Sequence, residues 1–122
     1  MGEPITSWLE GQLGSYIDDL RYLSGIDSGS YDKAGIDRVQ DWFQQQFSDL
    51  GFDVQRLVEE TCGDDILAVR KGNGTRKVML LGHSDTVFPL GTAGERPVTI
   101  EGDILRGPGT CDMKAGLLTG LY

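Results

Sequence analysis

Apolar residues open the chain at helical intervals: Ile5, Trp8, Leu9, Leu13, Tyr16, Ile17, Leu20 and Leu23 recur three or four apart. That spacing lines one face of an α-helix, so a first helix is predicted over residues 5–23. The stretch SGIDSGSYDKAG that follows is rich in turn formers and polar groups and reads as a loop. The helical stripe restarts with Ile36, Val39, Trp42, Phe43, Phe47 and Leu50, and Gly51 stands where a helix stop is expected. Residues 52–58, 66–70 and 77–81 have the length and content of strands. In the third of these VMLL is nearly continuous, which predicts a strand buried on both faces and hence a sheet with helices on either side. Residues 98–100 and 103–105 are candidate short strands, and AGLLTGLY begins a last apolar helix. The alternation predicts an α/β fold with a central, mostly parallel sheet flanked by helices.

Composition narrows the function classes. At 122 residues there is room for one domain at most, and 39% hydrophobic with 25% charged residues is ordinary globular usage. A net charge of −8 repels polyanions, so no nucleic-acid partner is expected. The N-terminus lacks the basic start of an export signal and no run approaches a membrane span, so no membrane partner is expected either. Cys62 and Cys111 are the only cysteines and form no CxxC, which argues against a disulfide scaffold or a thiolate zinc knot and for a reducing cytoplasm. Eighteen glycines without a three-residue period suit a turn-rich α/β chain, not a fibre. The last apolar stretch ends on Leu117, Leu118, Leu121 and Tyr122 without a cap or polar tail, so a fragment is expected; a natural C-terminal helix docked in the core is the other reading.

Two clusters carry candidate chemistry. LLGHSDTV sets His83, the only histidine, directly after the VMLL run, with Asp85 two positions on. In extended backbone residues two apart point to the same side, so Asp85 can lie beside the imidazole, fix its tautomer and raise its basicity. A structural hydrogen-bonding histidine is the plainer reading of the same pattern. GPGTCDMKAG, residues 107–116, allows a sharp turn and puts Asp112 just before a helix start, where it could face a neighbouring loop or simply cap the helix. Lys114 reads as a solvated charge. The phosphate-loop pattern fails because Met113 precedes Lys114 and Ala115 follows it, and a dinucleotide fingerprint fails because Asp112 replaces its third glycine.

The order and spacing of GHSDTVFPLG and RPVTIEGDILRGPGTCDMKAG resemble the zinc-dependent exopeptidase and deacylase family that includes glutamate carboxypeptidase, acetylornithine deacetylase and succinyl-diaminopimelate desuccinylase. The resemblance covers essentially the whole chain, as the N-terminal part of the family's catalytic domain, and GPG with FPLG is most similar to the glutamate carboxypeptidase branch. It implies a two-zinc site, with cobalt or manganese as alternatives, in which His83 binds one metal, Asp112 bridges the two ions and Asp85 has its catalytic role in supporting His83. It also implies a cis peptide at Asp112–Met113. The substrate would be a peptide or an N-acyl amino acid, hydrolysed next to a free carboxylate by metal-activated water, and the full-length protein is a candidate homodimer.

The family's paired glutamates, second histidine and lid have no counterpart here. Glu59 and Glu60 precede the histidine motif and are read as surface charges, and Cys111 as a small buried neighbour. With two of its ligands, residues 1–122 alone are expected to be inactive. The alternatives are an N-acyl amino-acid deacylase of the same family and a non-catalytic, partner-binding module that keeps the fold.

Overall fold

A computed structural model describes residues 3–122. Its elements are α1 (Glu3–Ser24), α2 (Lys33–Asp49), β1 (Asp53–Leu57), β2 (Asp65–Val69), α3 (Thr92–Glu95), β3 (Thr99–Glu101), β4 (Ile104–Arg106) and α4 (Lys114–Leu121).

Helix α2 shows how local sequence sets an element's limits. Asp32 caps its start by accepting from Gly35 N at 3.0 Å, satisfying one of the first turn's orphan donors. Ile36, Val39, Gln40 and Phe43 then fall on one buried face. At the other end Gly51 takes φ +79°, a left-handed conformation that costs a side-chain-bearing residue about 1–2 kcal/mol. The turn this permits lets Gly51 N donate to Ser48 O and Phe52 N to Phe47 O, and the Phe47 and Phe52 rings meet edge-on at 5.3 Å. The predicted stop is therefore the real one.

The core gathers where three helices meet. Leu20, Leu23 and Ile26 from the end of α1 and the loop after it, Val39 and Phe43 from α2, and Leu118 from α4 form one buried cluster. Tyr16 OH donates to Ala115 O at 2.8 Å and Tyr122 OH to Asp19 Oδ2 at 2.8 Å, so polar contacts also hold α4 on α1. The first half of the predicted α1 stripe behaves differently: Ile5, Trp8, Leu9 and Leu13 are exposed.

Among the described residues the strands form two separate two-stranded antiparallel sheets, β1–β2 and β3–β4. In the first, Val54 lies opposite Ala68 and Arg56 opposite Ile66, all half-buried, while the residues between them face water. The central, mostly parallel sheet expected from the sequence is not what these strands build. The one parallel pairing among the described residues is a single bridge between Gly29 and Thr86.

Residues 77–81, expected to be a two-sided buried strand, require a correction. They lie outside any strand, and Val78, Met79, Leu80 and Leu81 are 74–86% exposed. A strand needs a neighbour for its N–H and C=O groups and layers on both faces. Here Leu80 and Gly82 run beside Gly120 and Leu117 of α4, and among the described residues no strand pairs with the segment. The four-residue α3 was not anticipated, because a single turn is too short to show a period. Among the described residues no helix is long and apolar enough to cross a membrane.

Candidate metal centre

The site is built on the loop between α1 and α2, which grips both motif-bearing segments. Thr86 N donates to Ser28 O at 2.7 Å and Ser30 N to Thr86 O at 3.1 Å. The buried Ser28 hydroxyl donates to Ser84 O at 3.1 Å. These bonds fix the backbone on both sides of Asp85. Asp27 accepts from Gly91 N at 2.8 Å and from Ala93 N at 2.9 Å, anchoring the chain as it leaves the site; those two N–H groups hold its carboxyl below the usual range against desolvation.

The second segment is anchored to the same place. Ser24 Oγ donates to Pro108 O at 2.6 Å. Gly109, at φ +74°, makes the turn that returns the chain towards α4, and Lys114 N closes it on Gly109 O at 2.9 Å. Lys114 was read from sequence as a solvated charge, and the structure overturns that: it is 1% exposed. Its Nζ donates to Leu23 O at 2.8 Å and Ile26 O at 2.7 Å, carbonyls at and just past the C-terminal end of α1, where a cation also meets the negative end of the helix dipole. Burial pulls the ammonium pKa down to about 8, against the favourable field of Asp27.

Between these anchors His83, Asp85 and Asp112 form one hydrogen-bonded row. His83 Nδ1 faces Asp85 Oδ1 at 3.0 Å and Asp85 O at 3.1 Å. On the opposite side of the ring, Nε2 faces Asp112 Oδ1 at 2.9 Å. Ser30 Oγ donates to the other Asp85 oxygen, Oδ2. Burial disfavours the imidazolium, but the hydrogen bonds to Asp112 and Asp85 outweigh it and hold the His83 pKa above its ordinary value. The Ser30 hydroxyl foremost, then His83, hold the Asp85 carboxyl below the usual range, opposed by desolvation.

Asp112 is not the helix cap that its position also allowed. Met113 occupies the cap position of α4 without a side-chain cap bond, and the Asp112 carboxylate turns to His83 instead. The Asp112–Met113 peptide is cis. A cavity of about 170 Å³ opens beside the row, lined by His83, Asp85, Phe88, Gly109, Cys111 and Asp112. Cys111, expected to be buried, is exposed on this wall; the turn at Gly109 leaves it facing out of the core. Glu59 and Glu60 lie on the surface, as read from the sequence.

Two donors converge on one point, His83 Nε2 and an Asp112 oxygen, an imidazole and a carboxylate of the kinds that bind zinc. Among the described residues no group of three or more His, Cys, Asp and Glu side chains is gathered to hold a metal ion. The pair therefore fits a partial ligand set. Sequence reasoning missed Ser24, Asp27, Ser28 and Ser30 and misread Lys114, all of whose partners are 55 to 91 positions away.

No family model matches the chain. It is 34% identical over 102 residues to carboxypeptidase G2 of Pseudomonas sp. (strain RS-16), covering 82% of this chain and 25% of that protein. It is 39% identical over 122 residues to an acetylornithine deacetylase of Vibrio vulnificus (strain CMCP6), covering 91% and 31% respectively. A second acetylornithine deacetylase, from Vibrio atlanticus (strain LGP32), is 34% identical over 110 residues, covering 84% and 29%. The chain thus spans between 25% and 31% of the length of these curated relatives. Along most of its own length it is similar to hydrolases named as a carboxypeptidase and as deacetylases, and this likeness supports the peptidase and deacylase family.

Proposed function

We propose that these residues form the N-terminal part of the catalytic domain of a two-zinc hydrolase that cleaves a peptide or amide bond next to a free carboxylate. The observation that carries the reading is the approach of His83 Nε2 to Asp112 Oδ1, 2.9 Å apart across 29 positions of sequence. On a neutral ring with its proton on Nδ1, Nε2 and the Asp112 oxygen would each present an electron pair, as two ligands of one cation do. His83 would hold one ion and Asp112 would bridge to a second. When bound, zinc supplies Lewis-acid polarisation of the scissile carbonyl and acidification of water. Cobalt and manganese suit the same donors.

The chain's own residues position these donors. Asp85 faces Nδ1 and would keep the imidazole proton there, with Nε2 pointing at Asp112. Lys114 and Ser24 hold the Asp112 turn against α1, so the carboxylate is held from two sides. The cavity beside the row leaves room for a substrate carbonyl. A proton-accepting glutamate and the remaining ligands are assigned to sequence outside these 122 residues, in keeping with the share of the relatives that the chain spans. By itself the chain is inactive on this reading. Both cysteines are exposed and unpaired, which supports a reducing, cytoplasmic setting.

The 39% identity to an acetylornithine deacetylase favours a second reading, hydrolysis of an N-acyl amino acid by the same centre. The test is metal content with parallel peptidase and deacylase assays on the full-length protein and on its His83→Ala and Asp112→Ala variants. Both variants should lose metal, and activity should fall more than about 100-fold, past what outer-shell partners contribute. Full metal content and activity in both variants would refute the assignment.

A further inference from the structure

We infer that Ser30 is a positioning residue for the His83 imidazole: its hydroxyl braces the Asp85 carboxylate, which keeps the ring proton on Nδ1 and leaves Nε2 bare. For its zinc arm this rests on the proposed metal-ligand role of His83; for the tautomer it stands alone.

The neutral ring has one proton and two carboxylates asking for it, Asp85 Oδ1 at 3.0 Å from Nδ1 and Asp112 Oδ1 at 2.9 Å from Nε2. The distances do not choose between them. The surroundings do. Asp85 adds its main-chain oxygen, 3.1 Å from Nδ1, whereas among the described residues Asp112 alone faces Nε2. The Asp112 side chain is 78% exposed and that of Asp85 35%, so water weakens the first claim more than the second.

Ser30 settles the geometry of Asp85. Its hydroxyl has one proton to give, and of its two acceptors, Asp85 Oδ2 and Thr86 O at 3.4 Å, the carboxylate is nearer. With Oδ2 occupied, Oδ1 stays turned to Nδ1. The serine is itself held in place: Ser30 N donates to Thr86 O and Thr86 N to Ser28 O, the parallel bridge at Gly29 lying between. An alanine at position 30 keeps those backbone bonds and loses the brace alone. The carboxylate is then free to turn to water, and the proton can move to Nε2, where it blocks a metal.

Because His83 is the only histidine, its ring nitrogens give a single pair of 15N resonances that report the tautomer directly. The experiment uses the 122-residue chain with labelled histidine, at one fixed pH alkaline enough for a neutral ring, as wild type, Ser30→Ala and Ser30→Thr. In wild type Nδ1–H should predominate. Ser30→Ala should shift the ratio towards Nε2–H by roughly three- to tenfold, the scale of one hydrogen bond, and Ser30→Thr should restore it. Backbone amide shifts away from the site report folding. Adding zinc alone should move the Nε2 resonance, with affinity roughly tenfold weaker in Ser30→Ala. An unchanged tautomer ratio in Ser30→Ala, or a shift that threonine does not reverse, overturns the inference. The metal reading of His83 is decided separately, by the metal content of the full-length His83→Ala variant, and the tautomer ratios decide the role of Ser30 whichever way that falls.

Discussion

His83 has a different partner at each ring nitrogen, and each partner is held by a further residue. Asp85 is braced by Ser30, and Asp112 rides on a turn anchored by Ser24 and Lys114. A side chain 49% exposed would otherwise sample several rotamers, so its orientation depends on these contacts and not on packing. Asp85→Asn keeps the shape and removes the charge that stabilises the Nδ1 proton; zinc affinity should fall about 10–100-fold, measured by competition with a chromogenic chelator. The pattern H-x-D was legible in the sequence because alternation along extended backbone is a local rule. Ser30 was not legible: a serine in a polar loop gives no sign of which distant carboxylate it will meet.

Helix α2 and the β1–β2 ribbon are joined through Asp64, which lies just ahead of β2. It accepts from Lys33 Nζ at 2.6 Å, from Arg56 Nε at 2.8 Å and from Glu59 N at 3.0 Å. Its own N–H donates to Asp37 Oδ1 at 2.8 Å, and its carbonyl accepts from Gln40 Nε2 at 2.9 Å. Lys33 first, then the Glu59 N–H and Arg56, hold its carboxyl far below the usual range, outweighing desolvation. A depressed folded-state pKa favours the folded state when the group is ionised. The contribution is therefore complete above the unfolded carboxyl's pKa of about 3.9 and is lost as the pH falls below it towards the folded value. Urea midpoints measured from pH about 6 down to about 2 should decline in wild type, and Asp64→Asn should start lower and decline less steeply. On the apolar side of the same helix, Phe43→Ala should cost about 3–5 kcal/mol in urea unfolding, the usual penalty for emptying a buried aromatic site. That face was predictable from periodicity; the ionic joint was not, since its members come from three separate stretches of chain.

Over the whole molecule, order is unevenly distributed. The buried cluster lies where α1, α2 and α4 meet, whereas residues 77–81 and the first half of α1 present apolar side chains to water. Hydrogen exchange should reflect this: amides of α2 around Val39 and Phe43 should be the slowest, and those of residues 77–81, outside any helix or strand, should exchange with little protection. Protection in that segment comparable to α2 would contradict the arrangement described here.

The sequence by itself determined the elements whose signals are local. Helices α1, α2 and α4, the four short strands and the stop at Gly51 follow from periods of 3.6 and 2 and from one left-handed glycine, each settled within a window of a few turns, whereas the antiparallel pairing of the strands into two ribbons does not. The two motifs and their order were equally legible. Only the tertiary structure decided what those elements do to one another: that VMLL finds no strand to pair with, that Lys114 is buried on the end of α1, and that Ser28 and Ser30 secure the segment carrying Asp85. These outcomes turn on which polar groups and apolar faces meet across 50 to 90 positions of chain, and burial and hydrogen-bond satisfaction are properties of that meeting, not of any residue's neighbours in sequence.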